Sequence, residues 1–170
     1  MRDTLLESIS TSVRTVPDFP LEGILFRDIT PLLSDYKLLS QTIERIVHDM
    51  ANLHWDPDII IGPEARGFIF GPLLSTKLEK AFVPVRKPGK LPPPTLKIDY
   101  NLEYGSNSLE IHEDTILPGQ KVVIIDDLLA TGGTVSACIE LCKQLGAEVI
   151  GTIFIIELEG LGARELIHPI

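Results

Sequence analysis

Four short apolar runs, rich in Ile and Val, constrain the fold of this chain more than any other feature of its sequence. Runs of this length that are apolar throughout, rather than alternating with polar residues, are typical of strands buried on both faces of a parallel sheet. The predicted strands are residues 57–62, 81–85, 120–126 and 147–158.

Helical patterns separate these strands. The predicted helices are residues 34–53 with Ser34 as N-cap, residues 67–78, and residues 134–145, which Gly146 ends; a short amphipathic helix is expected within residues 1–16. Strands that alternate with helices predict an α/β fold with a mostly parallel central sheet, and such sheets bind ligands beyond the carboxyl ends of their strands.

Two segments depart from this alternation. Residues 16–31 are dense in Pro and predict an ordered loop without regular structure. Residues 86–114 begin with a Pro-rich basic stretch and continue into an alternating pattern around Gly105, Ser106 and Asn107, which predicts a hairpin turning at those residues. A long polar excursion of this kind is typical of a lid or binding loop.

Composition excludes several classes of protein. The net charge of −9 argues against a general nucleic-acid or anionic-membrane binder, and no apolar stretch reaches the roughly 18 residues of a membrane helix. Cys138 and Cys142 share one apolar helix face, which predicts reduced, buried cysteines and a cytoplasmic protein. The four histidines show no spacing of metal ligands.

The stretch "VVIIDDLLATGGT", residues 122–134, joins a strand to a helix through a loop suited to an anion. Gly132 and Gly133 allow consecutive N–H groups to turn inward, Thr131 and Thr134 add hydroxyl donors, and the helix N-terminus adds partial positive charge. An ordinary turn with two glycines is the alternative, since neither the lysine of a P-loop nor a dinucleotide-binding motif is present.

Asp126 and Asp127, directly before this loop, favour a particular ligand. A phosphate about 7 Å from each carboxylate would be repelled by about 2 kcal/mol per charge pair at an effective dielectric near 20. Carboxylates bind vicinal hydroxyls or hydrated Mg²⁺, and a ribose 5-phosphate offers the hydroxyls, with Mg²⁺ added when C1 carries pyrophosphate.

This motif resembles that of the type I phosphoribosyltransferases. Further stretches are similar to the adenine-specific branch of that family: "GILFRDITPLL" (23–33), "GPEARGFIFGP" (62–72), "VRKPGKLP" (85–92) and "LEYG" (102–105). The resemblance implies one phosphoribosyltransferase domain over residues 1–170, with a hood at about 1–33 and a hairpin lid at about 86–114. It also implies that adenine and phosphoribosyl diphosphate give AMP and diphosphate, with Mg²⁺ on the donor and a homodimer as the assembly.

Site residues follow from the resemblance position by position. It implies that Asp126 and Asp127 bind the ribose and lie near the Mg²⁺ without ligating it directly, and that Glu103 is the catalytic acid or base. It also implies a cis peptide bond between Glu64 and Ala65. The remaining implied contacts are Ala130, Thr131, Gly132, Gly133 and Thr134 to phosphate, Arg66, Arg86, Lys87, Lys90 and Tyr104 to pyrophosphate, and Phe26 and Arg27 to adenine.

The residues alone leave other interpretations open. Arg86, Lys87, Lys90 and Lys97 could form a solvated basic loop, Phe26 could be a core residue, and Glu103 could be an inert surface acid. At the level of function, a transferase for another purine base and a non-catalytic regulator that senses phosphoribosyl diphosphate are the alternatives.

Three features depart from the family pattern. Ala65 stands where a hydroxyl residue is expected, and Pro93 stands where Gly is expected. The sequence ends at Ile170, earlier than in most members, and is expected to lack a final strand or helix.

Overall fold

The computed structural model describes residues 3–102 and 105–167. The chain divides into two compact units, Met1–Asp49 and Met50–Ile170. Among the described residues, no helix combines the length and apolarity needed to cross a bilayer.

The first unit contains short elements and the start of one long helix. They are α1 (Thr4–Ser12), β1 (Arg14–Val16), β2 (Phe26–Asp28), α2 (Thr30–Ser34) and α3 (Tyr36–Asn52). Asp3 is the N-cap of α1, because its Oδ1 accepts hydrogen bonds from the N–H groups of Leu5 (3.1 Å) and Leu6 (3.3 Å). The predicted amphipathic N-terminal helix is therefore present.

Two predictions in this unit were wrong in detail. Residues 16–31 contain regular structure at both ends, because β1 pairs antiparallel with β2, placing Val16 opposite Phe26, and α2 begins at Thr30. Ser34 is the last residue of α2, and the Oδ1 of Asp35 instead caps α3 by accepting from Lys37 N–H (3.0 Å) and Leu38 N–H (3.1 Å). A carboxylate one residue later offers a stronger acceptor than the serine hydroxyl.

The second unit contains the predicted alternation of strands and helices. Its elements are β3 (Ile59–Pro63), α4 (Gly67–Leu78), β4 (Ala81–Val85), β5 (Thr95–Leu102), β6 (Gly105–His112), β7 (Lys121–Leu129), α5 (Gly133–Gln144), β8 (Glu148–Glu157) and α6 (Ala163–Ile167). Strands β4, β3, β7 and β8 form a parallel sheet in that order, as the apolar runs predicted.

The core explains why these runs lack polar residues. Ile59, Ile61, Val122 and Ile124 face a cluster shared with α5, while the alternate residues Ile60, Val123 and Ile125 are buried on the opposite face. Helix α4 contacts β3, β4 and β7 and buries Phe70 and Leu74 completely. Full burial of such side chains contributes about 1.5 to 3 kcal/mol each, so both faces of the sheet stabilise the fold.

The order of the strands creates a topological switch point. The β3–α4–β4 connection runs outward from β3, and the β7–α5–β8 connection runs outward from β7 in the opposite direction. Right-handed crossovers then place α4 and α5 on opposite faces of the sheet. A crevice opens between β3 and β7 at their carboxyl ends, the position where such sheets bind ligands.

The excursion between β4 and β7 contains the predicted hairpin, but its turn lies elsewhere. Strands β5 and β6 pair antiparallel with Leu102 opposite Gly105, so Gly105, Ser106 and Asn107 belong to β6. The connecting residues, Glu103 and Tyr104, lie outside the described residues. Leu109 and Ile111 belong to the core, and Leu96, Ile98 and Tyr100 pack against it, which anchors the hairpin to the unit.

Candidate active site

The carboxyl ends of β3 and β7 bring two predicted site segments together in the second unit. Arg66, in the connection after β3, places its Nη1 3.0 Å from the Oδ2 of Asp127 on β7. Close backbone packing allows this connection, because a Cβ on Gly62 would lie 2.6 Å from the carbonyl oxygen of Gly67. Only glycine fits at such a backbone approach, so the tight connection depends on both glycines.

The two adjacent carboxylates differ in exposure: Asp126 is half-buried and Asp127 is buried. The side chain of Asp127 is 2% exposed, and the backbone N–H of Asp127 donates to the Oδ1 of Asp126 at 2.9 Å. Burial and, to a smaller extent, the charge of Asp127 together raise the pKa of Asp126 to about 7. Burial also raises the pKa of Asp127, against the opposing charge of Arg66.

The Oδ2 of Asp127 marks where a ligand group belongs. Its distance to Arg66 is that of an ion pair, but among the described residues this buried atom accepts no hydrogen bond of good geometry. A buried carboxylate oxygen without a hydrogen bond is costly, and it is stabilised by a ligand hydroxyl or a hydrated cation. The acids are therefore arranged to receive a group that donates hydrogen bonds or carries positive charge.

The loop between β7 and α5 has the geometry of an anion site. Gly132 has φ +86° and precedes α5, whose first residue is Gly133. With glycine at this position, no side chain caps the helix, so the N–H groups of its first turn face the loop. A Cβ on Gly132 would lie 3.3 Å from the carbonyl oxygen of Ala163, so α6 closes the back of the loop.

The predicted pyrophosphate residues surround a carboxylate of the protein itself. The Nε of Arg86 lies 2.8 Å from the Oε2 of Glu64, and the Nζ of Lys90 lies 3.9 Å from its Oε1. Lys87 adds its backbone N–H to the same carboxylate. Lys97 instead pairs with Asp99 at 3.3 Å, so the fourth basic residue of the stretch lies outside this cluster.

The peptide bond between Glu64 and Ala65 is cis, which confirms the prediction made from the resemblance. Glu64 contacts the basic cluster, and Arg66 contacts Asp127. Ala65 itself is exposed and contributes only backbone groups to this turn. Pro93 precedes a cis bond to Pro94 at the start of the hairpin.

The predicted adenine residues lie in the first unit, on β2. The rings of Phe26 and Phe19 make an edge contact with centroids 5.1 Å apart, and Arg27 donates from its guanidinium to the hydroxyl of Thr15. Asp28, beside them, accepts from Thr30 and from Arg14, which together lower its pKa to about 2. The predicted catalytic Glu103 and its neighbour Tyr104 lie outside the described residues.

Sequence reasoning missed two residues of this neighbourhood. The sequence placed Glu64 only in the turn after β3, because its contact with the basic cluster depends on tertiary packing. Tyr100 of β5 places its hydroxyl 3.4 Å from the Oγ1 of Thr134, linking the hairpin to the anion loop. The alternation of β5 could have assigned Tyr100 to the inner face, but not to Thr134.

The residues present fit a divalent cation only in an indirect way. Within residues 3–102 and 105–167, no group of three or more His, Cys, Asp or Glu side chains is arranged to hold a metal ion. The pair Asp126 and Asp127, with an unsatisfied oxygen, suits a hydrated Mg²⁺ that arrives with its own oxygen ligands.

Comparisons with known proteins found similar sequences and structures over most of the chain. The model of the phosphoribosyl transferase domain family matches residues 33–165. The adenine phosphoribosyltransferase of Lachnoclostridium phytofermentans is 52% identical over 160 residues, which cover 94% of this chain and 91% of that protein.

Two solved structures share the fold over nearly the whole chain. The adenine phosphoribosyltransferase of Thermoanaerobacter pseudethanolicus superposes with a TM-score of 0.93 at 50% identity, covering 96% of this chain and 94% of that one. The enzyme of Saccharomyces cerevisiae, complexed with an imino-altritol bisphosphate and adenine, gives a TM-score of 0.92 at 39% identity with the same coverage.

Proposed function

The chain belongs to the adenine phosphoribosyltransferase family, and from that premise we propose how its residues transfer a phosphoribosyl group from phosphoribosyl diphosphate to adenine. The reaction forms a bond between the adenine imidazole nitrogen and C1 of the ribose and breaks the bond between C1 and diphosphate. AMP and diphosphate leave, and the nitrogen loses its proton. This activity is a step of purine salvage.

One observation carries the assignment of the donor site: half-buried Asp126 and buried Asp127 lie two residues before an anion loop, and Asp127 has an oxygen without a hydrogen bond. The proposal places the 5-phosphate of the donor on Ala130, Thr131, Gly132, Gly133 and Thr134. The ribose hydroxyls then donate to the two carboxylates. This arrangement removes the conflict between an anion loop and two acids, because the ribose separates the phosphate from them.

The same pair of acids favours the transition state. The raised pKa values of Asp126 and Asp127 mean that Arg66, the cation paired with Asp127, does not fully offset the cost of holding two negative charges side by side. As the bond between C1 and diphosphate stretches, positive charge develops on the ribose ring and stabilises both carboxylates. Prepositioned charges of this kind are usually the largest contribution to catalysis.

Departure of diphosphate depends on the basic residues. Arg66, Arg86, Lys87 and Lys90 are proposed to neutralise the leaving group, and Tyr104 to contact it as the hairpin closes. The cluster of Arg86 and Lys90 beside Glu64 supports this role, since both cations already converge on a carboxylate. Positive charge at this position stabilises the expelled anion.

Recognition of the base is proposed for three residues. Phe26 would stack on adenine, and backbone groups near Arg27 would read its edge, because stacking alone does not distinguish purines. Glu103 would accept the proton of the purine imidazole ring, a role that typically contributes 10² to 10⁴ in rate. Adenine attacks the face of C1 opposite the diphosphate, so inversion is expected.

The proposal also covers cofactor, assembly and location. Mg²⁺ bound to the donor would supply charge neutralisation near Asp126 and Asp127. A homodimer, a hood at about residues 1–33 and a lid at about residues 86–114 follow from the family and are testable by light scattering and limited proteolysis. The buried free thiols of Cys138 and Cys142 support a reducing, cytoplasmic location.

Diphosphate release with a panel of bases tests the proposed activity. Adenine and the donor with Mg²⁺ should release diphosphate and form AMP, while guanine, hypoxanthine and xanthine should not, because a 6-oxo purine requires hydrogen-bond donors where adenine requires acceptors. Preference for a 6-oxo purine would indicate that the protein is a transferase for another purine base. Donor binding without release in the presence of adenine would favour the sensing regulator.

A further inference from the structure

Three positively polarised groups converge on one carboxylate of this chain. The Oε2 of Glu64 accepts from the Nε of Arg86 at 2.8 Å, the Nζ of Lys90 lies 3.9 Å from Oε1, and the backbone N–H of Lys87 donates to the same carboxylate. These are the cations assigned above to the diphosphate. An internal anion therefore already contacts the cations that are proposed to bind diphosphate.

The carboxylate is buried, whereas the cations are not. The side chain of Glu64 is 7% exposed, against 32% for Arg86 and 54% for Lys90. Burial opposes its charge, but the hydrogen bonds from Arg86 and the N–H of Lys87 outweigh burial and lower the pKa of Glu64. Glu64 is therefore ionised at neutral pH, and the solvent side of both cations stays accessible to a ligand.

Other contacts fix the arginine in this orientation. The guanidinium of Arg86 lies over the ring of Phe68, 5.7 Å from its centroid, and its Nη1 donates to the carbonyl oxygen of Lys90 at 3.4 Å. The loop itself is tied down, because the N–H of Gly89 donates to the Oε2 of Glu110 at 3.1 Å. The cluster is thus prearranged around Glu64 rather than assembled by the ligand.

We propose that Glu64 is the internal counter-anion of the diphosphate site: it positions Arg86 and Lys90 before the donor binds and competes with diphosphate for them afterwards. This inference rests on the proposed function. A carboxylate and a phosphate present similar pairs of oxygens to a guanidinium, so one can replace the other at Arg86. Because Glu64 remains nearby and negative, it weakens the binding of diphosphate and promotes its release.

Glu64→Gln tests the competition, because the amide keeps the size of the side chain and removes its charge. Titration calorimetry with Mg²⁺ and inorganic diphosphate is expected to show a Kd at least tenfold lower than that of the parent. The KM for the donor should also fall, while kcat does not rise. Glu110→Gln is the matched control, since it removes the same charge from a carboxylate that contacts the loop but neither cation, and its Kd should stay within twofold.

Glu64→Asp provides a second, more conservative variant in case the amide prevents folding. Its carboxylate is retracted by one methylene, so competition weakens without disappearing, and a two- to fivefold lower Kd is expected. Melting temperatures with and without saturating diphosphate establish that each variant is folded and respond more strongly to the ligand as the Kd falls. A purely structural role would lower the melting temperature without tightening the binding of diphosphate.

Different results would refute the counter-anion role of Glu64 and the proposed transferase activity. A parent protein that forms AMP normally, with Glu64 variants whose Kd for diphosphate is unchanged or higher, would overturn the counter-anion role alone. A parent that neither binds diphosphate nor releases it from the donor would overturn the proposed function and this inference with it.

Discussion

Replacement of Asp126 by Asn should stabilise the ligand-free fold while abolishing most activity. Asp126 is a half-buried acid whose pKa rises to about 7 through loss of solvation and the charge of Asp127. Its Oδ1 accepts the backbone N–H of Asp127 at 2.9 Å, and the amide oxygen of Asn can accept the same hydrogen bond. The substitution therefore removes the unfavourable charge and keeps the local geometry.

The expected gain in folding stability of Asp126→Asn increases as the pH rises. An unfolded Asp ionises near pH 3.8, and the folded Asp126 ionises near pH 7, so the folded state holds a proton that the unfolded state loses between these values. The stability of the parent thus falls as the pH rises from about 4 to about 7. A shift of about three pKa units corresponds to about 4 kcal/mol, at about 1.4 kcal/mol per unit.

Thermal unfolding without ligand measures this effect. At pH 8 the variant should melt about 8 to 16 °C above the parent, given about 2 to 4 °C per kcal/mol for a chain of this size. At pH 4 the two melting temperatures should be similar, because Asp126 is then protonated in the folded state and only about half ionised in the unfolded chain, so little of the penalty has developed. Asp99→Asn is the control: this exposed acid pairs with Lys97, and its removal should give no gain at either pH.

The catalytic activity of Asp126→Asn should change in the opposite direction to its stability. Loss of one carboxylate to the ribose should lower kcat/KM for the donor by at least tenfold, although the variant is the more stable protein. If Asp126→Asn melts no higher than the parent at pH 8, or gains as much at pH 4, the burial of an uncompensated charge is not what limits stability at this site.

Three further substitutions test other parts of the structure. Glu103→Leu should reduce kcat by about 100-fold or more if Glu103 moves the purine proton, and turnover within a few-fold of the parent would refute that role. Gly132→Ala forces a residue with a side chain to adopt φ +86° and places its Cβ against Ala163. The KM for the donor should therefore rise several-fold in a steady-state assay, and chemical denaturation should show a loss of stability of about 1 to 2 kcal/mol. Gly151→Ala would place a Cβ 2.2 Å from the ring of Trp55, so chemical denaturation should show that the free energy of unfolding falls by about 1 to 3 kcal/mol. The kcat of the folded protein should be unchanged, and a lower kcat would mean that this packing affects the active site.

The local sequence predicted the four strands of the parallel sheet and helices α4 and α5 of the second unit, but not α6. The predicted strand at residues 81–85 coincides with β4, and α4 has the predicted bounds of 67–78, because hydrophobic runs and glycines act over a few residues. The predictions failed where alternatives of similar local energy compete. The cap of α3 went to Asp35 instead of Ser34, and Gly105 joined β6 instead of a turn.

The sequence by itself determined the parts of the site that are contiguous: two acids followed by an anion loop at the start of a helix. Only the tertiary structure decided what those groups meet. Arg66 reaches Asp127 across 61 positions of the chain because β3 and β7 are neighbours in the sheet, and Glu64 lies among Arg86, Lys87 and Lys90 because β3 also pairs with β4. Apolar runs predicted that the strands are buried, but the loss of solvation at Asp126 and the position of Glu64 among cations depend on neighbours that are distant in the chain, so no local pattern could have predicted them.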